Sequence, residues 1–159
     1  MSADPPRPAV AIAGEGDLTD LLPLMRAYCD FYEVAPSDEA LLEMSRTLVS
    51  DPDREGVQLI ARLPSGDAVG FATIFWTWST TRAARIGVMN DLYVAPHARG
   101  AGAGRVGEAL IAACADCARA HGAVSLTWQT ALDNARAQAL YDRMGARRSQ
   151  WLDYDLPVA

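Results

Sequence analysis

The chain has 159 residues, 50% of them apolar and 21% charged, with a net charge of −6; all fourteen basic residues are arginine. That length fits one domain with its own core, and the acidic balance argues against general nucleic-acid binding, which needs a basic face. The absence of lysine excludes catalytic lysine chemistry and any phosphate loop that ends in Gly-Lys-Ser/Thr.

Residues 1–8 are polar and proline-rich, with no apolar run of signal-peptide or membrane-span length. They read as a loose leader to a single domain over 9–159, with the cytoplasm as the default compartment. Ala9 to Ala13 alternates as a first strand. Asp17 and Asp20 resemble a capping box, followed by a helical stripe of Leu21, Leu22, Met25, Tyr28, Cys29 and Tyr32. Ser37 is placed to cap a second helix carrying Leu41, Leu42, Met44 and Leu48.

Three strands follow, at Val57 to Leu63, Ala68 to Trp78 and Ile86 to Val94; their short connections predict an antiparallel meander. A glycine-studded turn then feeds a helix from about Ala103 to Ala120, with Gly122 as its left-handed stop. Val124 to Trp128 reads as a strand, Ala135 to Met144 as a helix stopped by Gly145, and Ser149 to Leu156 as a last alternating strand. The order predicts one α/β domain built on a mixed sheet.

Three cysteines, Cys29, Cys114 and Cys117, do not make a disulfide framework. Cys114 and Cys117 have the spacing of half a zinc site, but no second ligand pair exists, so they read as small apolar residues and no metal is expected.

The turn "ARGAGAGRVG" removes side chains just where a helix offers spare N–H groups and a partial positive charge. That arrangement suits an anion. Gly102-x-Gly104-x-x-Gly107 matches the dinucleotide fingerprint, which would make the protein a nicotinamide oxidoreductase. However, residues 95–101 separate it from the preceding strand, and Trp128 and Gln129 stand where a ribose-binding acid belongs. The other pattern is Arg99-x-x-Gly102-x-Gly104 after "LYVAPHA", joined downstream by "DNARAQALYDRMGA". On these two motifs, in this order, the sequence resembles the GCN5-related N-acetyltransferase (GNAT) superfamily over nearly its whole length.

The resemblance implies a GNAT-type fold: a mostly antiparallel sheet splayed in a V between the fourth and fifth strands, flanked by about four helices. It implies acetyl-CoA as the acetyl donor and direct transfer to an amine in a ternary complex, most similar in pattern to small-amine and polyamine enzymes. Backbone N–H groups of Gly100, Ala101, Gly102, Ala103, Gly104 and Arg105, with the Arg99 side chain, would hold the pyrophosphate. N–H groups around Leu92, Tyr93 and Val94 would serve pantetheine and the acetyl oxygen. Asn134 would bond the pantetheine amide or cap its helix, or both.

Tyr141 matches the family's general acid; a core aromatic is the alternative. Asn90-Asp91 stands where polyamine-type relatives carry Glu-Asp, so Asp91 is the candidate base, acting through water, and the alternative is an ordinary strand carboxylate. Tyr28, Phe31, Tyr32, Glu33, Trp76, Trp78 and Asn90 would line the acceptor site with Asp91, suiting a cationic primary amine. His97 reads as a solvated loop residue. A homodimer is expected through the C-terminal "SQWLDYDL". A sensor that binds acyl-CoA without turnover is the rival to an enzyme.

Overall fold

A computed structural model describes residues 7–100 and 105–159, which group into two compact units divided after Gln129. The first holds strands β1 (Ala9–Ile12), β2 (Gly56–Arg62), β3 (Ala68–Ser79), β4 (Ala84–Val94) and β5 (Leu126–Thr127). Its helices are α1 (Leu18–Phe31), α2 (Asp38–Ser50) and α3 (Val106–Ala120). The second unit holds α4 (Ala135–Arg143).

The strands lie in the order β1-β2-β3-β4-β5, with three antiparallel pairings followed by one parallel pairing of β4 with β5. The meander and the mixed sheet are therefore as the sequence predicts. A doubly wound parallel sheet, which the dinucleotide reading requires, is not formed.

Strand pleating assigns the two faces of the sheet. Phe71 and Ile60 face α1 and pack with Leu21, Leu24, Met25 and Cys29, together with Leu41 of α2. Gly70, one residue from Phe71, faces α3. A Cβ there would come within 2.8 Å of the Tyr93 carbonyl oxygen and 3.1 Å of Leu110, so glycine is what lets α3 settle onto the strand. Each fully buried Leu or Ile of this core contributes roughly 1.5–3 kcal/mol.

Helix ends follow their sequence signals. Ser37 accepts the Ala40 N–H at 3.1 Å and caps α2. Gly122 and Gly145, both at φ +79°, close α3 and α4 in the left-handed conformation that glycine adopts at no steric cost.

Two expectations change. Ser149 to Leu156 forms no strand; Trp151, Leu152, Tyr154 and Leu156 are all more than 80% exposed. Alternation gives a segment two faces but no ladder partner, and among the described residues none is formed. Asp17 does not cap α1 with its side chain. Glu15–Asp17 forms a short 3-10 turn instead, and the Asp17 carboxylate accepts from the Gly14 N–H at 3.0 Å and from Arg62 at 2.9 Å. Arg62 also reaches Asp20 at 2.9 Å, tying the start of α1 to β2.

The Gly14 N–H and the Arg62 guanidinium hold the Asp17 carboxyl below its ordinary value of 3.8. A lowered folded-state pKa stabilises fully above the unfolded value and fades as pH falls through the folded one. Arg62→Met is therefore expected to cost about 1 kcal/mol near neutral pH. The gap to wild type should narrow below about pH 4, as compared by urea unfolding at the two ends of that range.

Candidate active site

Strict alternation along β4 would put Met89 and Asp91 on the same face of the sheet. They are not. Met89 stands opposite Ile74, on the α3 face, and Asp91 stands opposite Thr73, on the α1 face; Asn90 between them is the extra residue of a β-bulge. One inserted residue thus turns the Asp91 carboxylate towards α1.

There it meets aromatic rings. Tyr28 of α1 brings its phenol to the Asp91 carboxylate and favours its charged form, and its ring lies 5.0 Å from Tyr32, 5.7 Å from Phe71 and 6.4 Å from Tyr93, all edge-on. Asn90 Nδ2 donates to Asp91 Oδ1 at 3.0 Å, and the Thr73 hydroxyl, from the residue directly opposite, also favours the charged carboxylate. Burial raises the Asp91 carboxyl above its ordinary value, and the bonds from Thr73, Asn90 and Tyr28 oppose that rise. Burial, then the Asp91 charge beside it, pushes the Tyr28 phenol well above the usual tyrosine range, so it stays a donor. Asp91, Asn90, Tyr28 and Tyr32 are thereby brought into one group. Thr73 and its neighbour Gln58 were not read as site residues from the sequence. Their signal is a lone polar side chain in the middle of each of two apolar strands.

The other side of β4 is open. β5 pairs only with Gly87 and Val88, so the last six residues of β4 have no partner strand on that side among the described residues. The Ala95 N–H bonds the Val69 carbonyl at 2.8 Å, which fixes the alternation of the ladder. It directs the Tyr93 N–H to β3, and the Leu92 and Val94 N–H groups away from β3 into the splay. Two N–H groups therefore point the same way along an edge that no described strand pairs.

Arg99 follows directly: its Nε donates to the Val94 carbonyl at 2.7 Å, and its guanidinium lies 5.8 Å from the Tyr93 ring centre. Gly100 takes φ +96° and Arg105 φ +57°, both left-handed, at the two edges of the glycine turn. Ala101, Gly102, Ala103 and Gly104 lie outside the described residues. His97 is exposed in a short 3-10 turn.

In the second unit, Asn134 Oδ1 accepts the Ala137 N–H at 3.2 Å, so it caps α4. Tyr141 is half-buried in the last turn of that helix.

Not every predicted wall residue joins the group around Asp91. Trp76 lies on the α3 face, stacked on His121 at 4.1 Å with its indole N–H donating to the Pro52 carbonyl at 2.8 Å. Trp78 is two residues further on the same face, under the Arg85 guanidinium at 5.3 Å. Phe31 packs on Tyr32 at 5.2 Å but is 67% exposed. Glu33 is exposed just past α1, with φ +56°. Among the described residues no His, Cys, Asp and Glu cluster has the makings of a metal site, and no helix is long and apolar enough to cross a membrane.

Residues 21–146 match the model of the acetyltransferase (GNAT) family. An uncharacterized N-acetyltransferase of Bacillus subtilis (strain 168), YhfO, is 35% identical over 133 residues, covering 84% of this chain and 85% of that protein. Among solved structures, a probable acetyltransferase aligns with a TM-score of 0.81 at 27% identity, over 95% of this chain and 98% of that one. AAC(6')-Iy, in complex with the bisubstrate analog CoA-S-monomethyl-acetylneamine, gives 0.78 at 17% identity over 96% and 99%, a likeness of fold.

Because Trp76 sits against His121 and Pro52 rather than Asp91, its truncation should register as stability. Trp76→Phe is expected to lower stability by about 1 kcal/mol through the lost indole hydrogen bond, measured by urea unfolding.

Proposed function

The chain belongs to the acetyltransferase (GNAT) family and is an acyltransferase that uses acetyl-CoA; we propose that its acceptor is a primary amine of a small molecule. The observation that carries this reading is the desolvated Asp91 carboxylate set among Tyr28, Tyr32 and Tyr93. A cationic amine gains from such a pocket by charge pairing and cation–π contact. Residues 9–159 act as one acetyltransferase domain, a reading supported by a family match that runs through both compact units.

Bound acetyl-CoA supplies an activated thioester carbonyl, which the amine attacks directly, so that the C–N bond forms as the C–S bond breaks. Asp91 binds the incoming ammonium and takes its proton through water. An alkyl ammonium has a pKa of about 10.4, and each unit by which the carboxyl rises towards it saves about 1.4 kcal/mol of that transfer. The Val94 N–H, with Leu92 beside it, donates to the carbonyl oxygen as charge develops there. Tyr141 hands its proton to the departing sulfur. A phenol with a pKa near 10 gives that proton up usefully only as the sulfur becomes negative. Arg99 and the backbone from Gly100 to Arg105 hold the pyrophosphate, and Asn134 adds a pantetheine contact to its cap.

The C-terminal segment pairs two copies of the chain. Its exposed Trp151, Leu152, Tyr154 and Leu156 support that reading, since apolar side chains in such a run gain by being covered.

A panel of polyamines, amino acids and aminoglycosides, with coenzyme A thiol release as the readout, is expected to yield at least one substrate. Acetyl-CoA binding without release for any amine would favour the sensor reading. With the best amine, Tyr141→Phe and Asp91→Asn should each lower kcat by about 10²-fold or more while acetyl-CoA still binds; unchanged rates would overturn their roles. Wild-type kcat/KM should rise with pH along a limb above the ordinary carboxylate range, because Asp91 must be ionised and burial raises its pKa above 3.8. Asp91→Asn should remove that limb. Trp151→Asp with Tyr154→Asp should halve the mass seen by light scattering if the segment pairs two copies.

A further inference from the structure

Ser45, Gln58 and Thr73 are the buried polar side chains of the described core, 0, 3 and 0% exposed. All three belong to one chain of contacts. The Ser45 hydroxyl donates to the Met25 sulfur at 3.6 Å, and Gln58 Nε2 donates to the same sulfur at 3.6 Å and to Thr73 Oγ1 at 3.2 Å. Thr73 stands directly opposite Asp91 in the ladder, where its hydroxyl favours the charged form of the carboxylate. For folding alone, such a row brings little: buried amides and hydroxyls must be paired merely to offset their desolvation, and apolar residues of similar volume would pack as well.

The contacts have a direction. An amide nitrogen only donates, so Thr73 Oγ1 accepts from Gln58; a hydroxyl carries a single hydrogen, which is then left for Asp91. We propose that Thr73 and Gln58 are positioning residues for Asp91: Gln58 fixes the Thr73 hydroxyl, and that hydroxyl holds the carboxylate in one orientation towards α1. The groups facing Asp91 are Thr73 from β3, Asn90 from its own strand and Tyr28 from α1, with Tyr32 behind Tyr28. All are neutral donors, so the number and aim of these donors govern when the carboxyl ionises. The consequence for catalysis rests on reading Asp91 as the proton acceptor; the relay itself does not.

The test reads Asp91 without substrate. Protein labelled at the aspartate carboxyl carbon is titrated by NMR, and the Asp91 resonance is the one missing from Asp91→Asn. Thr73→Val keeps the shape and removes the hydroxyl; losing a donor to the charged form should raise the Asp91 midpoint by about one unit. Gln58→Met should raise it by less, since the hydroxyl stays but its aim is freed, and Thr73→Ser should restore the wild-type midpoint. An unmoved midpoint in folded Thr73→Val overturns the proposal. Should Thr73→Val fail to fold, Gln58→Met decides: a wild-type midpoint there overturns it. An active Asp91→Asn enzyme would sink the base assignment while leaving these midpoints where they are, so the two failures are distinct.

Discussion

One extra residue in β4 decides which face of the sheet Asp91 uses. Without Asn90 as a bulge, alternation would put Asp91 on the same face as Met89, which stands opposite Ile74 on the α3 side. With it, the carboxylate meets Thr73 and Tyr28. The pairing of β5 with Gly87 and Val88 alone leaves the rest of the strand unzipped on its other edge. The strand thus presents a side chain to one compartment and main-chain donors to another. The acyl transfer proposed above uses both: a proton acceptor on the amine's side and donors along the carrier's side.

The surrounding fold holds this strand in place. α1 supplies Tyr28 because its buried stripe, Leu21, Leu24, Met25 and Cys29, docks on Phe71 and Ile60 and leaves the next turn over the end of β4. The Arg62 pairing with Asp17 and Asp20 ties the start of that helix to the sheet. α3 approaches from the opposite side and reaches β3 only because Gly70 lacks a side chain. Changes at these distant residues would therefore act on Asp91 through the angle at which Tyr28 reaches it.

Much of this was legible in the sequence. The helical stripe of α1, the Ser37 cap and the glycine stops at 122 and 145 each depend on neighbours within a turn or two, so local sequence carries them. The bulge depends on how residues 15 to 18 apart in β3 and β4 come into register, and Asn90-Asp91 read as an ordinary pair in a strand. Trp76 and Trp78 share a face by simple alternation, but only the bulge separates that face from the one Asp91 uses. The terminal alternation from Ser149 to Leu156 specifies faces and says nothing of a partner. Gln58 and Thr73 stand out in the sequence only as polar residues inside apolar strands, and it is the register of β2, β3 and β4 that lines them up with Asp91.

The environment of Tyr28 reaches further than its bond to Asp91. A phenol shielded from water and facing a negative neighbour keeps its hydrogen under alkaline conditions in which an open tyrosine would have surrendered it. On the proposed acceptor site, the Tyr28 side of the carboxylate therefore stays neutral where an open tyrosine would add a second negative charge beside an incoming cation.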